Sequence, residues 1–242
     1  MHFINYSSCT KLTILLFVIS VSIIGCNQNY FQKGNNFVLQ PGDLLFQDLD
    51  CGPFCDAIEK VTTGYHGANF SHVGIVAKDN NSNFVVIESL PDGVVATPLQ
   101  TFLDRSLDAN HQPKVVVGRL KQKYRNLIPT ALKEVFALKG EPYDEVFAIN
   151  NDAYYCSELI YEIFLRANNG KPIFKLQPMT FKNPDKGDTF PAWKEYFSEL
   201  DIPIPESKPG INPGSISRSS VLTIVHAYGI PSGWEKRWEL NY

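Results

Sequence analysis

Three side chains of this sequence are of the types that a thiol hydrolase uses, namely a cysteine, a histidine and an acid. Cys156 falls at the predicted start of a helix, where the helix dipole favours negative charge and lowers the pKa of a thiol towards the reactive thiolate. His72 begins an apolar strand, S-H-V-G-I-V, and imidazole is the usual base that activates a thiol. Glu88 ends the apolar strand F-V-V-I-E, where a carboxylate needs a partner, and a histidine proton would be one. The three residues predict a Cys-His-Glu catalytic triad.

Each of these residues also has a structural explanation that the sequence alone leaves open. A cysteine at a helix start can be buried and inert, a strand histidine can be structural, and a glutamate at a strand end can reach solvent. Strand register offers a check, because directly opposed residues of an antiparallel pair have a constant sum of residue numbers. His72 and Glu88 share a face only if the Asp79–Asn83 connection has an odd number of unpaired residues or a bulge intervenes. A plain two-residue loop at Asn80 and Asn81 would put them on opposite faces.

The other cysteines fall into two groups. Cys51 and Cys55 lie four residues apart in D-C-G-P-F-C-D, and a close pair of this kind tends to be oxidised outside the cytoplasm. We expect a disulfide, with a reduced or metal-bound pair as the alternative, because the thioredoxin-type spacing is one residue shorter. Cys9 lies in the predicted leader and Cys26 at its end, so Cys156 remains as the free thiol.

The first 25 residues have the features of the signal peptide of an exported bacterial lipoprotein. They contain Lys11 and no acidic residue, and their apolar run from Leu12 to Ile24 is shorter than the roughly 20 residues that span a bilayer. Such a run has the length of a signal-peptide h-region. It ends I-I-G-C, which resembles the lipobox, in which the cysteine, here Cys26, is diacylated and becomes the new N-terminus. An ordinary signal peptide with an incidental Cys26 is the alternative.

Domain organisation and location follow from this leader. We expect a signal peptide over residues 1–25, a polar tether over residues 26–36 and a single catalytic domain over residues 37–242. Acyl chains on Cys26 would hold the protein on a membrane, in the bacterial cell envelope and outside the cytoplasm. The net charge of −3 and the absence of a basic run make nucleic acid an unsuitable partner. The oligomeric state is left open.

Strands dominate the first half of the sequence and helices the second. This order predicts an α+β fold with an antiparallel sheet packed against helices. We expect strands over Asp43–Gln47, Ser71–Lys78, Asn83–Leu90, Gly93–Thr97, Lys114–Leu120 and Val221–Tyr228. Helices are expected over Asp56–Thr63, Pro98–Arg105, Tyr124–Lys139, Tyr155–Ala167 and Ala192–Leu200. The proline-rich stretch Asp201–Gly214 is expected to be an irregular surface crossing.

Motifs for other chemistries are missing from the sequence. His66, His111 and His226 lack ligand partners at metal spacing, and neither H-E-x-x-H nor paired C-x-x-C occurs. A G-x-S-x-G elbow and a phosphate-binding glycine loop are also absent. The sequence therefore predicts neither a metal nor an organic cofactor.

Five motifs occur in order along the chain: G-D-L-L-F at 42–46, S-H-V-G-I-V at 71–76, V-I-E-S at 86–89, G-E-P-Y-D at 140–144 and Y-Y-C-S-E-L at 154–159. Together they resemble the YiiX/YaeF family of permuted papain-like amidases, which are relatives of the NlpC-type cell-wall peptidases. In unpermuted NlpC-type enzymes the cysteine segment comes first, so the reversed order here implies a circularly permuted papain-like fold. The resemblance covers roughly residues 41 to 166, with a weaker match at 212–220.

The resemblance also implies roles for individual residues. Cys156 matches the nucleophile, His72 the general base and Glu88 the third polar residue on the strand after the histidine. Tyr143 matches a tyrosine that lines the site in NlpC-type enzymes, with a packed aromatic as the alternative. Tyr155 stands where those enzymes have Asp, and we expect it in the wall of the substrate pocket or in the core.

The best-supported function at this point is a cysteine amidase or peptidase that acts on small peptide or amide substrates, such as those of the cell wall. A lipid-directed acyltransferase or thioesterase is the second hypothesis, because lecithin retinol acyltransferase has a similar permuted core. The third is an anchored binding protein with an inactive site. A lipid enzyme should have a continuous apolar groove at Cys156, whereas a peptidase should have polar groups for charged peptide ends.

Overall fold

The computed structural model describes residues 37–235 of the chain. The predicted signal peptide, the lipidation site Cys26 and the tether over residues 26–36 lie outside the described residues. Within residues 37–235 no helix is long and apolar enough to cross a membrane.

The centre of the fold is a six-stranded antiparallel sheet in the order β4-β3-β2-β1-β5-β8. Strands β1, β2 and β3 occupy its middle and are almost wholly buried, so each reads as a near-continuous apolar run rather than as an alternating one. The strands are β1 (Leu44–Gln47), β2 (His72–Lys78), β3 (Phe84–Leu90), β4 (Gly93–Pro98), β5 (Val115–Leu120) and β8 (Leu222–Ala227).

Within residues 37–235, six α-helices accompany the sheet. They are α1 (Pro53–Val61), α2 (Leu99–Leu103), α3 (Ile128–Ala137), α4 (Cys156–Ala167), α5 (Pro191–Glu199) and α6 (Pro213–Ser217). Helix α4 packs against β2, β3 and α3, and α1 packs against α5. Helix α4 ends where the sequence predicts, since Asn169 and Gly170 have positive φ values of 52° and 75° and Gly170 N–H donates to the Leu165 carbonyl. The structure thus has the predicted α+β class.

The β2–β3 hairpin puts His72 and Glu88 on the same face of the sheet. Ile75 pairs with Ile87 and Lys78 with Phe84, which leaves the five residues Asp79–Asn83 in the connection. This number is odd, so residues of equal parity share a face. Gly74 lies on that face opposite Glu88, and a Cβ atom there would be 3.3 Å from the Glu88 Cβ and 2.5 Å from Val86 Cγ1. The missing side chain leaves Glu88 room to reach diagonally across to His72.

The proline-rich stretch differs from the prediction of an irregular surface crossing. Its last residues form strand β7 (Pro209–Gly210), which pairs with β6 (Gln177–Pro178), and the start of α6. Ile211 is buried, because its segment packs on the start of α4 instead of running over the surface. Prolines set the local backbone angles here, but burial is decided by long-range contacts that local signals do not carry.

Candidate active site

Cys156 and His72 meet where the first turn of α4 packs on the start of β2. Tyr155 is the N-cap of α4 and Cys156 its first helical residue, so the thiol lies at the positive end of the helix. Cys156 and His72 are 8% and 5% exposed, and their side chains lie close enough for each to shift the pKa of the other. Among residues 37–235, Cys156 is the free cysteine. The structure therefore brings the predicted thiol and the predicted base together.

Glu88 is the next member of the chain of contacts. Its Oε2 lies 2.6 Å from His72 Nε2, which leaves Nδ1 of the imidazole for the thiol. The carboxylate is fully buried, so it is not the solvated strand end that the sequence left open. Glu88 also accepts hydrogen bonds from Thr97 Oγ1 at 2.5 Å and from Arg105, whose Nη1 and Nη2 lie 2.7 and 2.5 Å from its two oxygens. A bidentate guanidinium holds a carboxylate in one orientation.

The charges of the three side chains follow from these contacts. Burial by itself lowers the pKa of His72, but the hydrogen bonds and charges of Cys156 and Glu88 outweigh burial and raise the pKa to about 9. Burial raises the pKa of Glu88, yet His72, Arg105 and Thr97 together lower it to about 2. For Cys156, burial again opposes ionisation, while the bond to His72 lowers the pKa of the thiol. The arrangement favours a thiolate–imidazolium pair backed by a carboxylate.

The first turn of α4 is held in place by a second buried carboxyl. Glu158 is the third residue of the helix, and the backbone N–H groups of Tyr155 and Asn150 are near enough to favour its charged form. Burial, with the charge of Asp144 nearby, raises the pKa of Glu158 to about 8. From β3, the Ser89 hydroxyl donates to the Tyr154 carbonyl. These bonds fix the helix start, and with it Cys156, relative to the strand that carries Glu88.

A cavity of about 170 Å³ opens beside Cys156. Its wall is mostly apolar and aromatic and comes from α1, α5, the α6 segment and the loops around 143–147 and 177–181. The principal apolar members are Ile58, Val61, Tyr143, Phe147, Met179, Phe181, Trp193 and Ile211. Phe147, Phe181 and Trp193 contact one another edge to face or tilted, with ring centroids 5.0 to 6.5 Å apart. The thiol therefore faces a pocket shaped for an apolar group.

The two tyrosines of the sequence prediction both line this cavity. Tyr143 is half-buried, and burial together with the charge of Cys156 raises the pKa of its hydroxyl well above the usual value. Tyr155 is buried, and its hydroxyl accepts a hydrogen bond from Ile211 N–H at 3.1 Å. Tyr155 thus also ties the segment before α6 to the start of α4, and burial raises the pKa of this phenol too.

The Cys51–Cys55 pair supports the wall of this cavity without lining it. The structure joins Cys51 and Cys55 in a disulfide, with Cα atoms 5.3 Å apart. Phe54 lies between the two cysteines, and its ring is 4.5 Å from that of Trp193. The bridge therefore closes the first turn of α1 around a side chain that supports the cavity.

Two residues that contact Glu88 were missed by sequence reasoning. Thr97 lies on β4 opposite Val86, and Arg105 follows α2. Alternation along β4 was a usable signal for Thr97, because residues 86 and 88 share a face and 97 is opposite 86. For Arg105 no local signal existed, since a cation after a short helical turn is ordinarily solvated.

The positions of the potential metal-binding side chains show whether the site could hold a metal ion. Within residues 37–235, no group of three or more His, Cys, Asp or Glu side chains is arranged to hold a metal ion. His72 and Glu88 are engaged with each other and with Arg105. This chain's described residues do not form a metal site.

Known proteins resemble this chain in sequence and in fold. Over residues 38–226 it matches the family described as permuted papain-like amidase enzyme, YaeF/YiiX, C92 family. The uncharacterized protein YiiX of Escherichia coli (strain K12) is 26% identical over 128 residues, which are 53% of this chain and 58% of that protein. The match thus spans less than two thirds of that relative. The crystal structure of metalloprotein yiiX from Escherichia coli O157:H7 has a TM-score of 0.63 at 23% identity and covers 80% of this chain and 99% of its own, so the two share a fold.

Proposed function

This chain belongs to the permuted papain-like amidase family, and from that premise we propose that it is a cysteine hydrolase of amide bonds. The observation that carries the proposal is the buried Cys156–His72 pair, backed by Glu88 and facing a cavity. An inactive binding site would leave Cys156 out of reach of His72. His72 lies close enough to Cys156 to lower the pKa of the thiol, which argues against that alternative.

In the proposed reaction, the Cys156 thiolate attacks the amide carbonyl carbon and forms a C–S bond, while the carbonyl electrons move to oxygen. The Cys156 backbone N–H, free at the helix start, would donate to this oxyanion. His72 then gives its proton to the departing amine as the C–N bond breaks. Water, deprotonated by His72, cleaves the thioester and releases a carboxylic acid, which restores the starting pair. Glu88 holds the imidazole ring throughout and stabilises its charged form.

No step of this scheme is routed through a metal ion. The structurally similar yiiX of Escherichia coli O157:H7 is described as a metalloprotein. The described residues of this chain form no metal site, so each step is assigned to its own side chains.

The substrate is proposed from the shape of the cavity. Small peptides or amides, such as those of the cell wall, are the first candidates by family membership. The apolar wall around Cys156 favours a second candidate, a thioesterase or acyltransferase acting on lipids, because an acyl chain would fill such a wall. Tyr143 and Tyr155 would contact either substrate from the cavity wall.

The location of the protein in the cell and its partners are also part of the proposal. The domain over residues 37–242 would act in the cell envelope, attached through a lipid on Cys26 and separated from the membrane by residues 26–36. Its partners would then be a small-molecule substrate and a membrane, not nucleic acid.

Product analysis tests the proposal directly. The purified protein and a Cys156→Ala variant are incubated with cell-wall fragments and with lipid amides and esters, and the products are identified by mass spectrometry. Products from the wild type alone, together with a thioester adduct on the Cys156 peptide, would support a cysteine hydrolase. Equal products from both proteins, or none from either, would overturn it. The class of the cleaved compound separates the two candidate functions.

A further inference from the structure

A second cavity, of about 250 Å³, adjoins the one that holds Cys156. The two cavities share Gln177, Ile211 and Arg218 in their walls, so they lie side by side. The second cavity differs in character, because its wall contains two cations and two hydroxyl groups, those of Lys175, Arg218, Ser215 and Ser219.

Within residues 37–235, no ion pair neutralises the exposed cations Lys175 and Arg218 of this second cavity. No acidic side chain is among the residues that line either cavity. The ion pairs within residues 37–235 include neither Lys175 nor Arg218. By contrast, Arg105, which follows α2, and Arg119, on β5, each bind a buried carboxylate in a bidentate manner. Two unpaired cations on one wall favour an anionic group, and a guanidinium suits planar or tetrahedral oxyanions.

The Ser215 hydroxyl group of this wall is held in a fixed position. Ser215 takes part in a capping box with Asn212, since the Asn212 backbone N–H donates to its hydroxyl at 3.3 Å. Tyr155 fixes the adjoining segment through Ile211, and a Cβ atom on Gly214 would lie 1.7 Å from the Thr62 carbonyl oxygen. Helix α6 therefore sits backbone to backbone on the end of α1, and the cavity wall that it forms is a built surface rather than a loose loop.

We propose that the substrate of Cys156 is amphipathic, with an apolar acyl part beside the thiol and a carboxylate or phosphate bound by Arg218 and Lys175 in the adjoining cavity. This inference deepens the proposed function and rests on it, because only a hydrolase would turn the bound molecule over as a substrate. Binding of the anion can nevertheless be measured without turnover. It unites the two features that would separate a lipid enzyme from a peptidase, because the apolar wall and the charged-group site lie side by side.

The test uses pairs of probes in which one member carries the anionic group and the other is neutral. The carboxylate arm compares N-hexanoylglycine with the neutral N-hexanoylglycinamide, and the phosphate arm compares N-hexanoyl-phosphoethanolamine with N-hexanoylethanolamine. Each probe is scored by how well it protects Cys156 of the purified protein from iodoacetamide, with the Cys156 peptide followed by mass spectrometry. We expect an anionic probe to protect at an about 10-fold lower concentration than its neutral twin, as a charge-assisted bond on a half-open wall would give. The arm with the larger ratio identifies the anion.

Variants connect this preference to the second cavity. Arg218→Gln and Lys175→Gln should each bring the ratio of anionic to neutral protection towards one, and Arg218→Lys should keep part of it. Lys171→Gln is the matched control, because Lys171 is an exposed cation of the same region that lines neither cavity.

Three results would each overturn the inference. They are equal protection by charged and neutral probes, no protection by any probe, and a protection ratio that survives Arg218→Gln. Hydrolysis without a charge preference would refute the anion site and leave the hydrolase standing. Charge-dependent protection without hydrolysis of any probe would refute the hydrolase and leave the anion site standing.

Discussion

At the scale of single residues, the reactivity of Cys156 depends on where one proton rests in a buried pair. Burial opposes the charged forms of both Cys156 and His72, and their mutual contact favours them. Glu88 tips this balance, since it is an anion with a pKa lowered to about 2 by His72, Arg105 and Thr97 against the effect of burial. The thiolate is thus maintained by a carboxylate that never touches it.

The first prediction concerns Glu88→Gln. Loss of the negative charge weakens the imidazolium, so the pH profile of Cys156 alkylation should move to higher pH. In the wild type the thiolate should persist well below the free-cysteine pKa of about 8.5. Turnover should fall by roughly 10- to 100-fold, and Cys156→Ala should be far worse. Superimposable alkylation profiles with unchanged turnover would return Glu88 to a purely structural role.

The same variant should also lower the stability of the fold. An isosteric change at a strand end would cost little stability, but Glu88 is fully buried and pairs with Arg105. We therefore expect Glu88→Gln to lower the free energy of unfolding by about 1–3 kcal/mol. The loss stays below that of a wholly buried pair because the Arg105 side chain is 23% exposed and can reach water.

The second prediction separates Arg105 from the catalytic residues. Arg105 contacts Glu88 but not the thiol, so it is a positioning residue. Arg105→Gln should lower kcat, because the carboxylate is no longer oriented, while the alkylation profile should not move to higher pH, since Glu88 keeps its charge beside His72. Partial rescue of kcat by Arg105→Lys is expected, and Lys171→Gln should match the wild type. A profile that shifts upward as in Glu88→Gln would contradict this division of roles.

At the scale of elements, the start of α4 is the joint on which the site depends. It is held to β3 by the bond from Ser89 to the Tyr154 carbonyl and to the preceding loop by Glu158. Burial, with the charge of Asp144, raises the pKa of Glu158 to about 8. The neutral form of Glu158 thus suits the fold better than the charged form does.

The third prediction follows from that pKa. Because the folded value of Glu158 lies above its ordinary value of 4.5, its ionisation opposes folding. Stability should decline as the pH rises from about 4.5 through 8, each unit of pKa difference being about 1.4 kcal/mol. Glu158→Gln keeps an oxygen for the backbone N–H groups and cannot ionise, so its urea-unfolding free energy should fall less between pH 5 and pH 9. Parallel curves for the two proteins would refute it. Glu59 and His72 titrate in both proteins, so the difference isolates Glu158.

At the scale of the whole molecule, attachment and catalysis are expected to use different parts of the chain. The fourth prediction is that Cys26→Ser moves the protein to the soluble fraction without loss of activity, because the proposed lipid site lies outside the proposed catalytic domain over residues 37–242. Fractionation followed by an activity assay on each fraction measures both effects. An unchanged membrane fraction for Cys26→Ser would refute lipid attachment at this residue.

Much of the fold was accessible from sequence because its signals are local. The β-branched runs of β2 and β3, the turn at Asp79–Asn83 and the Asn169-Gly170 helix end each depend on residues a few positions apart. The predicted and observed bounds of β2 and α4 agree within one residue. Motif order along the chain pointed to the permuted papain-like family, which the family match over residues 38–226 confirms. Cys156, His72 and Glu88 were singled out because their types and positions in these elements are unusual.

What the sequence determined by itself was which elements form and which side chains carry a thiol, an imidazole and a carboxylate. The tertiary structure alone decided that Arg105 clamps Glu88, that Ile211 is buried against Tyr155, and that a charged cavity adjoins an apolar one. Each of these depends on pairs far apart in the chain, such as Tyr155 and Ile211, which are 56 positions apart. The chemistry of an arginine or an isoleucine is the same on a surface as in a site, and only the packing of the chain sets which neighbours it meets.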